Sequence, residues 1–243
     1  MQEKIDHLTH GLKPVGLRLA LWSSAHRWMK CAYSAFAEGL LPRSSSPAAE
    51  IGTRTHAVAA QRLYNALKSA FPDADITAQP ALETDTPNGD IYEDCVDCYV
   101  KSVIEYLAAT QEIVDRAGIE ERLVKHAHGV EIWGTPDCWV YTRTNRLYIF
   151  DLKTGEVEVQ AHGNEQLRLY ASMVRASKGL HAMHFELVII QPRIPNHIKS
   201  ECLNYCQLAE FTHLAGMCAK RRRFCQSRYA TPCWRPLPVL PCP

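Results

Sequence analysis

The residue types best suited to chemistry fall in three short stretches: Gly134-Thr135-Pro136-Asp137, Asp151-Leu152-Lys153, and Gln166 with Tyr170 four positions on. Two carboxylates near a lysine suit metal-assisted phosphodiester hydrolysis, in which a divalent ion polarises phosphoryl oxygens and makes a usable hydroxide from bound water. Hard cations take oxygen ligands. Asp137 and Asp151 are therefore expected to hold the metal, with the Leu152 carbonyl as a further ligand. Lys153 is expected to stabilise charge developing on the phosphate or to orient the attacking water.

The elements that must position these groups can be read from pattern. Residues 138–142 (Cys-Trp-Val-Tyr-Thr) and 146–150 (Arg-Leu-Tyr-Ile-Phe) are rich in aromatic and β-branched residues, as strands are. If the loop between them is Arg143-Thr144-Asn145, with Asn145 in the left-handed conformation, then Thr142 pairs with Arg146 and Asp137 falls opposite Asp151. Both carboxylates then share a face, and alternation puts Lys153 on it. A regular four-residue loop would place the aspartates on opposite faces. Downstream, Asn164 can cap a helix over 164–178 that Gly179 terminates. Gln166 and Tyr170, spaced i and i+4, share a face of that helix. Either they point at the phosphate or the lysine, or Tyr170 is a core residue of an amphipathic helix.

Around this centre the chain reads as an ordered series. Ser24 can cap a helix through Gly39, a linker follows over 41–47, and a second helix spans about Ala48 to Phe71. The segment Pro72 to Tyr92 is expected as a surface excursion or short hairpin. A helix over Asp94 to Ala117 precedes strands near 120–133, 137–142 and 147–153, then the helix 164–178 and a strand over 182–190. Gln207 to Arg223 is expected to be helical. Glu120 either reaches the site from the strand before Asp137 or is exposed. Gln191 and Arg193 follow the apolar strand Phe185 to Ile190, where they either contact DNA or cap a sheet edge.

The order of these residues resembles the PD-(D/E)XK nuclease superfamily in its RecB-like branch, and is most similar to phage and prophage proteins of a domain-of-unknown-function family related to CRISPR-associated RecB-like exonucleases. The likeness runs from residues 23–31 through Gly52-Thr53-Arg54-Thr55-His56, residues 120–123, the aspartate and lysine core, and Gln191-Pro192-Arg193. It implies an α/β, restriction-endonuclease-like αβββαβ core with added N- and C-terminal helices. It also implies a magnesium- or manganese-dependent deoxyribonuclease, an exonuclease acting on free or single-stranded DNA ends in phage recombination or replication. His56 matches the position of a helix histidine that serves as an extra metal ligand, and imidazole suits manganese.

The branch further implies a [4Fe-4S] cluster held by one N-terminal and three C-terminal cysteines, here Cys31, Cys218, Cys225 and Cys233; four thiolates are the usual ligand set. The spacing departs from the family, because the tight Cys-x2-Cys is missing and Arg222 stands three residues before Cys225. Zinc binding and unliganded thiols are the alternatives for these positions. Cys95 and Cys98 lie within an expected helix, where a structural role is the simpler reading.

Composition is compatible with all this without demanding it. The chain has 243 residues, 47% hydrophobic and 22% charged, with ten cysteines and a net charge of +1. These values suit one globular domain over 1–243, with a poorly patterned leader over 1–22 and a proline-rich tail over 232–243 expected to be disordered. A nucleic-acid partner is not announced by bulk charge, so a basic surface must be local. Lys220-Arg221-Arg222-Arg223 is the candidate, and a solvated helix end is its alternative. The lack of a long apolar run or signal peptide predicts a cytoplasmic protein, of a bacterial host if the phage resemblance holds. A DNA-binding recombination accessory protein with weak or no turnover is the competing function, although the complete Asp137, Asp151 and Lys153 set argues against it. A zinc-stabilised interaction module would leave that set unexplained.

Overall fold

Helix α1 (Ala25–Trp28) buries Trp28 and Ala25, and helix α2 (Pro47–Ala70) begins where its sequence provides the means. Ser46 accepts a hydrogen bond from the Ala49 N–H at 3.2 Å, and Pro47 occupies the first turn, where a missing N–H is no loss. Val58, Ala59, Leu63 and Leu67 form the buried stripe of α2, and each fully buried leucine contributes about 2 kcal/mol. Helix α3 (Glu93–Thr110) packs beside α2 on the same side of the sheet, through Val96, Tyr99, Val103 and Leu107. These features come from a computed structural model that describes residues 18–19, 25–31, 34, 46–78, 90–127 and 130–227, with the side chains of 18–19, 125–132 and 220–227 outside that description.

The larger sheet has six strands: β2 (Asp75–Ala78), β3 (Val114–Ile119), β6 (Cys138–Thr142), β7 (Arg146–Leu152), β8 (His184–Ile190) and β9 (Ile198–Asn204). They lie side by side in that order. β3, β6 and β7 form an antiparallel meander, and helix α4 (Glu165–Ser177) then carries the chain to β8, which pairs parallel to β7. The order α3-β3-β6-β7-α4-β8 is the αβββαβ core of the restriction-endonuclease-like fold. Strands β4 (Leu123–Ala127) and β5 (Val130–Gly134) interrupt the meander and pair with each other and with β1 (Arg18–Leu19) in a separate sheet. Alternation divides the core into two layers. Cys138, Val140, Tyr148 and Phe150 face α2 and α3, whereas Trp139, Tyr141, Leu147 and Ile149 face α4 and helix α5 (Tyr205–Ser227).

The β6–β7 turn has the expected register. Cys138 pairs with Phe150 and Tyr141 with Leu147, which leaves Arg143-Thr144-Asn145 as the loop and aligns Asp137 with Asp151. Asn145 has φ +62°, a conformation that asparagine tolerates better than most residues. Its N–H donates to the Thr142 carbonyl at 3.1 Å and its side chain accepts from the Tyr141 hydroxyl at 2.5 Å. Asn164 caps α4 as expected, accepting from the Leu167 N–H at 3.1 Å, and Gly179 follows the helix at φ +60°.

Other boundaries differ from the sequence reading. The helix expected over 94–117 ends at Thr110, because Gln111 turns into the left-handed region at φ +57° without a glycine to announce it. The first core strand is therefore Val114–Ile119, and the stretch near 120–133 supplies β4 and β5 of the smaller sheet. Residues 75–78, expected within a surface excursion or hairpin, form the edge strand β2, which pairs parallel to β3. Strand β9 adds to the sequence reading, because its alternation is partly inverted: Glu201 is buried beside Leu203, whereas Ile198 and Cys202 are exposed. Most of the expected leader, the remainder of the first helix and the proline-rich tail lie outside the described residues. Among the described residues, no helix is long and apolar enough to cross a membrane.

Candidate metal-binding active site

Asp151 lies near the end of β7 with only 2% of its surface exposed. Such a buried carboxylate requires partners, and it has two. Lys153 Nζ sits 2.6 Å from Asp151 Oδ2, and Gln166 Nε2 donates to Asp151 Oδ1 at 3.3 Å. Gln166 also donates to the Tyr170 hydroxyl at 3.1 Å, while its own Oε1 accepts from Lys153 Nζ at 3.4 Å. The i, i+4 pair on α4 therefore faces the site, and Tyr170 belongs both to the site and to the core. Burial works to lower the Lys153 pKa, but the charges of Asp151 and Asp137 carry it above its ordinary value, so the side chain remains a cation. Burial pushes the Asp151 carboxyl up, against the opposing pull of Lys153.

A second cluster adjoins the first. His56 Nδ1 lies 3.4 Å from Asp137 Oδ2 and 4.0 Å from Glu120 Oε1. One ligating atom from each of His56, Glu120 and Asp137 falls within 4.8 Å of the others. α2 brings the histidine from one layer to meet carboxylates carried by the strand ends. Glu120 follows β3 directly and has φ +48°, a strained conformation for a glutamate that costs on the order of 1 kcal/mol or more. Its N–H donates to the Asp137 carbonyl at 3.0 Å, so the turn is tied to the strand that carries the aspartate. Asp137 is fixed from its other side by the Leu152 N–H at 2.7 Å.

The electrostatics of this cluster are those of crowded acids around one imidazole. Burial would lower the His56 pKa, yet Asp137, and behind it Glu120 and Asp151, raise it to about 9. Burial, then the charge of Asp137, lift Glu120 to about 8 against the pull of His56. Asp137 goes the other way: burial opposes its ionisation, but His56, Lys153 and the Leu152 N–H hold its carboxyl below the ordinary range. An imidazole nitrogen with two carboxylates is a donor set that can hold a divalent metal ion. His56, Glu120 and Asp137 form that set directly. Asp151 lies beside it, with one oxygen engaged by Lys153 and the other by Gln166.

Glu120 is the residue whose place the sequence left open, and here it converges with His56 and Asp137. No periodicity could have shown this, because the residue sits in an irregular turn. Gln191, read from the sequence as either a DNA contact or a cap on a sheet edge, turns inward. It is fully buried, accepting from the Val159 N–H at 3.0 Å and donating to the Gly155 and Val157 carbonyls at 2.8 Å each. Both of its side-chain N–H groups are engaged inside the fold. Arg193 pairs with Glu156, donates to the Thr154 carbonyl at 3.3 Å and lies over the Tyr92 ring at 4.7 Å. Lys220, Arg221, Arg222 and Arg223 fall on α5, but their side chains lie outside the described residues. Cys31 is exposed and Cys218 buried. The Cys225 side chain and all of Cys233 lie outside the description, as does any cluster built on them. Cys95 is buried within α3, and Cys98 is 3.9 Å from the Ser102 hydroxyl, consistent with structural roles.

The core and site thus define the class: an αβββαβ fold with acidic residues, a histidine and a lysine gathered at the strand ends. The chain belongs to the family described as "Protein of unknown function (DUF2800)", whose pattern matches residues 19–222. Among solved structures it is similar to a proposed exonuclease from Eubacterium rectale, with 10% identity and a TM-score of 0.47, covering 85% of this chain and 80% of that one. It is also similar to an alkaline exonuclease from Laribacter hongkongensis, with 13% identity and a TM-score of 0.32, covering 72% of this chain and 91% of that one. At this level of identity and overlap, neither likeness says what this chain does.

Proposed function

We propose that this protein is a metal-dependent DNA nuclease. The observation that carries the reading is the apposition of the His56, Glu120 and Asp137 cluster to the buried Asp151–Lys153 pair. A divalent ion held by His56, Glu120 and Asp137, with Asp151 beside it, would supply Lewis-acid activation of phosphate and water. The overall reaction forms one bond between water oxygen and phosphorus and breaks one phosphorus–ester bond, leaving an alcohol and a phosphate monoester. Lys153, kept cationic, stabilises the negative charge that develops on the phosphoryl oxygens. Gln166 holds Lys153 and Asp151 in fixed relation, and Tyr170 holds Gln166. Locked geometry of this kind matters because small displacements of a reacting group are expensive in rate.

Within this reading the protein is an exonuclease acting on free or single-stranded DNA ends, in phage recombination or replication. That finer assignment draws on the resemblance of its motifs to RecB-like nucleases. Magnesium or manganese is the expected metal.

The test is cleavage of end-labelled single-stranded, double-stranded linear and closed circular DNA with magnesium or manganese, comparing the anaerobically purified protein with Lys153→Ala. Metal-dependent cleavage that the variant loses supports the nuclease, and sparing of circles supports an exonuclease. A wild-type protein that binds DNA and cuts none of the three substrates sinks the reading in favour of an accessory role.

A further inference from the structure

Tyr141, Tyr148 and Tyr170 are buried, and each phenol has a partner: Asn145 at 2.5 Å, Glu112 at 3.1 Å and Gln166 at 3.1 Å. Tyr99 on α3 is the exception. Only 2% of it is exposed, yet its hydroxyl has no hydrogen-bond partner among the described residues. A phenylalanine would fill the same space without the cost of an unpaired buried hydroxyl, so packing does not account for the oxygen.

The place of Tyr99 in the fold fixes what it faces. α3 runs antiparallel to β7, because it enters β3 through the short turn 111–113 and β3, β6 and β7 alternate in direction. Near the end of α3, the Tyr106 ring meets Tyr148 at 6.3 Å and Phe150 at 5.7 Å. Tyr99 lies seven residues earlier on the same face, about 10 Å toward the helix N-terminus. Three residues along β7 from Phe150 cover about the same 10 Å and end at Lys153. Long side chains on a helix lean toward its N-terminus, so the phenol points to the end of the sheet that carries the site. Ile119, Cys138 and Leu152 share its buried layer, and they stand next in the chain to Glu120, Asp137 and Asp151. Electrostatics agree with this placement. Burial first, then the charges of Cys138, Asp137, Asp151 and Glu120, push the phenol pKa well above its ordinary value. The hydroxyl therefore keeps its proton, a donor within electrostatic reach of three acids.

We propose that Tyr99 is a positioning residue of the metal centre: with a divalent ion held by His56, Glu120 and Asp137, its hydroxyl donates to the Asp137 carboxylate, directly or across one water. Asp137 already accepts from the Leu152 N–H at 2.7 Å, and Tyr99 approaches from the helical layer. A second donor behind a ligating carboxylate fixes its orientation, and removing such a partner commonly weakens metal binding about 10- to 100-fold. This role rests on the metal-binding reading of the site and deepens it by naming an outer partner for one of its ligands.

The experiment titrates manganese into the chelator-stripped full chain, reading the free ion by electron paramagnetic resonance, for the wild type, Tyr99→Phe and Tyr106→Phe. Tyr106 donates to Glu186 at 2.8 Å, away from the site on the same helix, and serves as the control phenol. Tyr99→Phe is expected to raise the manganese Kd about tenfold. Its Tm in chelator should stay at or above the wild-type value, because an unpaired hydroxyl has been removed. Tyr106→Phe should keep the wild-type Kd. A wild-type Kd in Tyr99→Phe overturns the role, and so does a fall of its Tm in chelator, since the hydroxyl would then be bonded within the core. Equal weakening by Tyr106→Phe also overturns it, as a general loosening of α3. A wild type that takes up no manganese removes the metal centre and this role with it, a failure seen in the first titration before any variant is compared.

Discussion

The N–H of Leu152 donates to Asp137 Oδ2 at 2.7 Å, so the residue between Asp151 and Lys153 holds the aspartate of the neighbouring strand. The two acidic motifs are thus one hydrogen-bonded unit across the β6–β7 pair. Lys153, the first residue past β7, then meets Asp151 at 2.6 Å, and the whole unit depends on the register of a single three-residue turn.

Removing Lys153 should therefore be felt in stability as well as in catalysis. Lys153→Ala strips a buried carboxylate of its cation, which commonly costs a few kcal/mol; about 2 kcal/mol is expected here because the lysine side chain is itself 26% exposed. Urea denaturation of the purified variant checks this. Lys153→Ala together with Asp151→Asn should recover part of the loss.

Metal binding should be visible without turnover. An ion that binds only the folded chain raises stability by about 2.7 kcal/mol at a hundredfold excess over its Kd. Manganese should raise Tm relative to a chelator, and His56→Ala, Glu120→Gln and Asp137→Asn should each shrink that shift. An undiminished shift in Glu120→Gln would remove Glu120 from the ligand set.

Acid sensitivity should trace in part to Glu201. Burial alone would push its carboxyl up, but hydrogen bonds from Arg168 and the Gly163 N–H, with the charges of Arg168 and His162, bring it below the ordinary value. A carboxyl depressed in the folded state contributes stability that is present above the unfolded pKa and is lost as pH falls through the folded one. Tm measured from pH 7 downward should decline less steeply in Glu201→Gln, from a lower starting value, because Arg168 loses a partner held at 3.0 Å.

Gly118 should tolerate no side chain. A methyl there would lie 2.3 Å from Trp139 Nε1 and 2.6 Å from Trp139 Cε2, and the indole is buried and bonded to Glu121 at 3.2 Å. Overpacking of this kind costs about 1–3 kcal/mol, so thermal melts of Gly118→Ala should fall by several degrees. An unchanged melt would mean that Trp139 has somewhere else to go.

Local chemistry was legible wherever it was short-range. Asn164 as a cap, Asn145 as the left-handed turn residue, and Gln166 with Tyr170 on one helix face each depend on a few neighbouring positions, and each stands as read. The end of α3 at Gln111 was not legible, because a left-handed glutamine gives no local warning and the strand that follows is held by pairing with β6. The edge strands β2 and β9 likewise owe their existence to partners about 40 and 15 residues away.

By itself, the sequence determined the identity of the aspartates, the lysine and the glutamine, and the alternation that puts Asp137, Asp151 and Lys153 on one face. Only the tertiary structure decided that Glu120 joins His56 and Asp137, and that Gln191 faces inward to hold a loop. The physical reason is the range of the interactions. Turn and helix geometry are set by backbone sterics over a few residues, whereas Glu120 and Gln191 are placed by hydrogen bonds to segments that only the packed fold brings near.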